Sequence, residues 1–159
     1  MKRILTTIAA GAWLLVTSGA APAPATQPQQ PQATYNDIQQ TLGSVPSFFR
    51  DVPAAALPGA WTEFKEFQLN PNTALPNKTK ELIGLAVAAQ IPCRYCVYFH
   101  TQAARAAGAT DAEIQSAVTM AAVTRHWSTI LNGNSLDEAT FDREVDQVMA
   151  HAQATNPSH

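Results

Sequence analysis

Charge is scarce in this sequence of 159 residues: Asp, Glu, Lys and Arg make up 14%, against about 25% in an average domain. So few charges leave apolar helix faces with little polar cover, which points to buried faces or subunit contacts. The charges present are nearly balanced, 10 basic against 12 acidic with a formal net of −2. That excludes the basic footprint of a nucleic-acid binder. Cysteine is scarcer still, and two residues cannot staple a disulfide scaffold. Seven glycines and eleven prolines exclude collagen-like sequence, and no period marks a repeat array. Strand-like alternation is missing from residue 35 onward. What remains is a 46% hydrophobic share, ordinary for a globular protein and too high for wholesale disorder. The length suits one domain.

The N-terminus carries a targeting pattern. Met1-Lys2-Arg3 precedes an apolar run from Ile4 to Val16 and the small residues Thr17-Ser18-Gly19-Ala20-Ala21. A basic start, a short apolar stretch and a small-x-small site describe a secretory signal peptide, here residues 1–20 with cleavage after Ala20. As a membrane anchor the run falls short of the ~20 residues needed to span a bilayer. The expected location is periplasmic or secreted, with no stable membrane anchor after cleavage. Residues 21–34 alternate Pro, Ala and Gln and read as a flexible linker, since they lack apolar surface to offset ordering.

Residues 35–153 read as a single all-α domain, followed by a frayed tail at 154–159. A short helix over Tyr35–Leu42 stops at Gly43. Phe48 and Phe49 are expected core anchors, and Pro58-Gly59 should kink or restart a helix running from Pro53 to Leu69. A helix opening at Pro76 is apolar on every side after Glu81, and Ile91-Pro92 separates it from another over Pro92–Ala107. Thr110-Asp111-Ala112-Glu113 has the form of a capping box. Its helix should end near Asn132-Gly133. Ser135 is expected to cap a last helix that turns Phe141, Val145, Val148 and Met149 inward.

The chemistry concentrates between Glu81 and His100. Both cysteines lie in Cys93-Arg94-Tyr95-Cys96, and His100 follows four residues later. Thiols three apart at a helix start can close a small disulfide ring with little backbone movement. The helix N-terminus favours the thiolate, most strongly at Cys93. The spacing i, i+3, i+7 places Cys93, Cys96 and His100 on one helical face. If the helices on either side of Ile91-Pro92 form an antiparallel hairpin, Glu81 and His100 are equidistant from the turn and their side chains meet. A carboxylate desolvated in an apolar helix suits the role of base, so Glu81 can exchange a proton with the dithiol while His100 orients or relays it. The same residues also admit a structural disulfide, or a zinc site with His126 or Glu81 as fourth ligand.

The set Glu81, Cys93-x-x-Cys96 and His100, within an all-helical chain of this size, resembles the alkyl hydroperoxidase D-like branch of the carboxymuconolactone decarboxylase family. Similar stretches run from Asp37 to Phe49 and from Thr124 to Gly133. The resemblance implies a helical fold assembled as trimers or hexamers, with thiol-dependent peroxidase activity that uses no metal or flavin cofactor. It implies Cys96 as the peroxidatic thiol, Cys93 as the resolving thiol, and Glu81 with His100 as the proton relay. The best-studied branch has a histidine where Tyr95 stands, so here the relay runs through Glu81 and His100 alone. The implied partners are a peroxide substrate and a dithiol reductant protein, met outside the cytoplasm. The alternatives are a dithiol–disulfide oxidoreductase acting on protein thiols, and a non-catalytic oligomeric binding protein with a locked disulfide.

Overall fold

The computed structural model describes residues 30–155. The signal peptide and most of the linker read from the sequence lie outside these residues, as does the end of the tail. Every regular element among the described residues is helical, and none is long and apolar enough to cross a membrane. The chain divides into two units, Met1–Val45 and Pro46–His159, so the boundary falls inside the stretch expected to be one domain.

The first unit contains α1 (Gln30–Leu42), which begins five residues before the expected start and takes in the end of the expected linker. Pro31 falls in the first turn, where no intrahelical N–H is needed, and the Gln and Ala residues after it are good helix formers. Gly43, at φ +78°, ends the helix, its N–H bonding Gln39 O at 3.0 Å.

The second unit opens with a 3₁₀ turn over Ser47–Phe49. Phe49 is buried against the edges of Trp61 and Phe64, at ring distances of 5.5 and 5.9 Å. Phe48 does not join it in the core: it is 54% exposed, because consecutive residues of so tight a turn project in different directions. Of the two outcomes expected at Pro58, a kink or a restart, the structure shows the restart. Pro58 stands in the first turn of α2 (Leu57–Glu63), a position that needs no N–H donor. The irregularity comes later, where α2 passes into a π-helical segment, Phe64–Leu69.

Helix α3 (Asn77–Gln90) is the central element. Pro76 is its N-cap, one position before the expected place. It packs against α4 (Arg94–Ala106), α5 (Asp111–Gly133) and the π-helical segment. Leu85 and Ala88 are buried in these contacts, while Ile83 and Val87, one turn apart, stay exposed. Gln90 clamps α3 to α5, donating to Ala121 O at 2.5 Å and accepting from Arg125 Nε at 2.6 Å. The capping box forms as expected, with Thr110 and Glu113 bonding each other's backbone N–H. Lys78 reaches Glu113 at 2.7 Å. This contact, joined by the Thr110 hydrogen bonds, lowers the Glu113 carboxyl from 4.5 to about 2.

Helix α6 (Glu138–Thr155) departs from the expected arrangement. Asp137, not Ser135, caps it by accepting the Thr140 N–H at 2.9 Å. Ser135 lies at φ +51°, outside the extended region that an N-cap adopts. None of the residues of α6 is buried: Phe141, Val148 and Met149 are exposed, and Val145 is half-buried. The expected inward stripe is therefore mostly uncovered, with only Val145 partly sheltered.

Candidate functional site

The sharp connection between α3 and α4 brings the site together. Cys93 N–H bonds back to Ala88 O at 3.1 Å, reversing the chain within a few residues. Cys93 then serves as the N-cap of α4, its Sγ accepting the Cys96 backbone N–H at 3.2 Å. This places one sulfur where the first helical N–H groups point and favours negative charge on it. Cys93 and Cys96 are joined as a disulfide, with Cα atoms 5.3 Å apart.

The hairpin also fulfils the expected pairing. Glu81, only 4% exposed, meets His100 with Oε2 and Nδ1 at 2.7 Å. The contact depends on Gly84, one turn along α3 from Glu81. A Cβ at Gly84 would lie 2.5 Å from Nδ1 and 2.8 Å from Nε2 of the His100 ring, so any side chain there displaces the imidazole. His100 follows Cys96 by four residues on α4 and shares its face.

Phe48, Phe64, Tyr95, Tyr98 and Phe99 wall a largely apolar open groove of about 1120 Å³ in which the disulfide and His100 lie. Tyr95 and Tyr98 are 72% and 70% exposed and flank the sulfurs. Arg94 stacks over the Tyr95 ring at 4.9 Å and donates to its hydroxyl at 3.0 Å. An aromatic chain links the core to the groove wall, from Phe49 through Phe64 and Phe99 to His100. Phe99 thus packs edge-to-face with the imidazole, at a centroid distance of 5.4 Å.

All four sequence-derived candidates, Glu81, Cys93, Cys96 and His100, therefore share one site. His126 does not belong to it; it is exposed and packs edge-on against Trp127 at 5.5 Å. Among the described residues no three His, Cys, Asp or Glu side chains are grouped to hold a metal. Two participants escaped the sequence reading. Gln68 donates to Glu81 Oε1 at 3.4 Å. Lys80, buried beside Glu81, donates to Phe67 O at 2.7 Å and Asn70 O at 2.8 Å. Lys80 carried a signal, being a cation on a helix that goes on to become wholly apolar. Gln68 carried none, because its position depends on π-helical winding.

Residues 55–139 match the carboxymuconolactone decarboxylase family, a span that includes all four site residues. The chain belongs to this family. Its fold is similar to the crystal structure of the alkylhydroperoxidase AhpD core from Rhodospirillum rubrum. The similarity has a TM-score of 0.60 at 30% identity and covers 70% of this chain and 86% of that one. Within the carboxymuconolactone decarboxylase family the chain is thus an alkylhydroperoxidase D-like member, all-helical with its CxxC at the start of α4. A stretch of 61 residues is 38% identical to "Uncharacterized protein 4 in cox locus" of Paracoccus denitrificans, covering 38% of this chain and 55% of that protein. The chain spans about half the length of this curated relative.

Proposed function

We propose that the protein is an exported thiol peroxidase that reduces hydrogen peroxide or organic hydroperoxides through Cys93 and Cys96. The observation that carries this reading is the 2.7 Å contact between Glu81 and His100 in the groove that holds the paired sulfurs. The structural similarity to an alkylhydroperoxidase supports it. In the reduced protein His100 takes the Cys96 thiol proton and shares it with Glu81. The Cys96 thiolate attacks the distal peroxide oxygen, the O–O bond breaks, and an alcohol or water leaves with the proton from the relay. Cys96 is then a sulfenic acid. The Cys93 thiol gives its proton to the emptied relay, and its thiolate, favoured by the α4 N-terminus, attacks that sulfur. The hydroxide expelled as the disulfide forms leaves as water with that same proton. A dithiol reductant protein docks beside Tyr95 and Tyr98 and returns two electrons to the pair.

Export rests on the pattern in residues 1–20. A trimer or hexamer is the assembly the family resemblance implies, and the exposed apolar residues of α5 and α6 support association without fixing its order. Peroxide consumption by the mature protein with dithiothreitol as donor tests the activity. The wild type should turn over and Cys96→Ser should be inactive. Cys93→Ser should oxidise once, to a sulfenic acid trapped by dimedone. Loss of single-turnover oxidation in Cys93→Ser but not in Cys96→Ser would reverse the assignment of the two thiols, and a wild type that consumes no peroxide would refute the activity.

A further inference from the structure

The buried carboxylate of Glu81 has a partner on each oxygen. His100 Nδ1 lies 2.7 Å from Oε2, and Gln68 Nε2 donates to Oε1 at 3.4 Å. His100 and Gln68 both line the groove, whereas Glu81 does not. The carboxylate is therefore screened from the groove by one side chain at each oxygen. The two screens differ chemically: an imidazole accepts and releases protons near neutral pH, and a carboxamide does not.

The position of Gln68 is itself held. It belongs to the π-helical segment, and Lys80 bonds the carbonyls of Phe67 and Asn70 on either side of it in sequence. Those are carbonyls at the end of a helix, where no intrahelical donor is available. Each residue of a regular helix turns by about 100°, so removing the extra residue of the π-helical turn would swing Gln68 away from Glu81. Short π-helical insertions recur at functional sites, and this one aims a side chain at a buried acid.

We propose that Gln68 is a positioning residue of the dithiol site. Its amide donates to Oε1 only while that oxygen carries no proton. Oε2, the oxygen facing His100, is thereby reserved for the proton that moves between Glu81 and the thiols, and proton traffic to the groove is directed through the imidazole. This inference rests on reading Glu81 and His100 as a relay for the dithiol.

The test uses the full mature chain, pre-reduced, in wild-type, Gln68→Met and Gln68→Glu forms. Gln68→Met keeps the length of the side chain and removes the donor. Gln68→Glu keeps its shape and sets a second acid against Glu81. Three readouts are compared: the rate of thiol alkylation by iodoacetamide, the ¹⁵N signals of the His100 ring, and single-turnover oxidation by tert-butyl hydroperoxide. Gln68→Met should slow alkylation and oxidation roughly tenfold, the scale of a small misplacement of a reacting group. It should also move the His100 ring signals while the melting temperature changes by only a few degrees. Gln68→Glu should disturb the same alkylation rate and ring signals. Alkylation and ring signals that stay at wild-type values in either folded variant would overturn the proposal. A wild type inert to peroxide, with alkylation and ring signals still sensitive to Gln68, would refute the peroxidase reading and leave the positioning role standing.

Discussion

The stretch from the π-helical segment to the end of α4 and the stretch formed by α5 and α6 solve opposite problems. The first buries polar groups and gives them partners: Lys80 bonds two carbonyls, and Glu81 is held by His100 and Gln68. The second leaves apolar groups in the open, including Met120, Trp127, Val148 and Met149. Burying an ion pair or an amide is costly unless its hydrogen bonds are met, so the bonded cluster of Lys80, Glu81, His100 and Gln68 inside a small helical unit marks the place where chemistry is organised. Asn77 Oδ1, nearby in sequence, is by contrast buried without a hydrogen-bond partner. A large exposed apolar surface marks a place where another surface is received. The comparison separates what one protomer completes alone from what we assign to association.

The contrast can be tested first at its tightest point. Gly84→Ala would ordinarily favour a helix by about 1 kcal/mol, but here the new methyl meets the His100 ring. Overpacking costs about 1–3 kcal/mol, so the melting temperature should fall by several degrees. Peroxide reduction should fall at least tenfold, as the imidazole leaves Glu81. A variant as stable and active as wild type would show that the close approach does not matter.

The next effect concerns the other region. Val148→Lys combined with Met149→Lys changes exposed positions of α6, and such changes shift protomer stability by no more than ~0.5 kcal/mol. The same pair should break an assembly that uses this face. Sedimentation velocity is expected to show a lower mass for the variant than for wild type. An unchanged mass would remove α6 from the interface.

The smallest effect is electrostatic and lies where the two regions meet, at Lys78 and Glu113. The folded state holds Glu113 at about 2, below its ordinary 4.5. The stability this contributes is complete above about pH 4.5 and is lost as the pH falls through about 2. Glu113→Gln should flatten the denaturation midpoint over that window and leave its slope near neutral pH unchanged. Asp137, lowered by its hydrogen bonds to Thr140, supplies a background of the same sign. A variant curve parallel to wild type down to pH 2 would contradict the contribution of Glu113.

Much of the site was legible because the sequence signals were local or symmetric. The CxxC spacing fixes both sulfurs on one turn, and equal distances from the junction between Gln90 and Ile91 pair Glu81 with His100 across the hairpin. The capping box at Thr110 was equally plain. What escaped depended on tertiary context. Pro58 admits either a kink or a restart, and only the turns that replace the expected helix before Leu57 decide for the restart. The π-helical winding that delivers Gln68 leaves no mark in the residue pattern. The stripe on α6 has helical periodicity, and periodicity identifies an apolar face without saying whether its own chain covers it.

The central claim, that a buried carboxylate acts through an imidazole on the dithiol, is tested most directly by Glu81→Gln. The substitution keeps the shape of the side chain and removes its ability to take a proton. Single-turnover oxidation of the pre-reduced protein by peroxide is expected to slow about 10²-fold or more, with the fold and the capacity to form the Cys93–Cys96 disulfide retained. A folded Glu81→Gln protein that reacts at the wild-type rate would contradict the account.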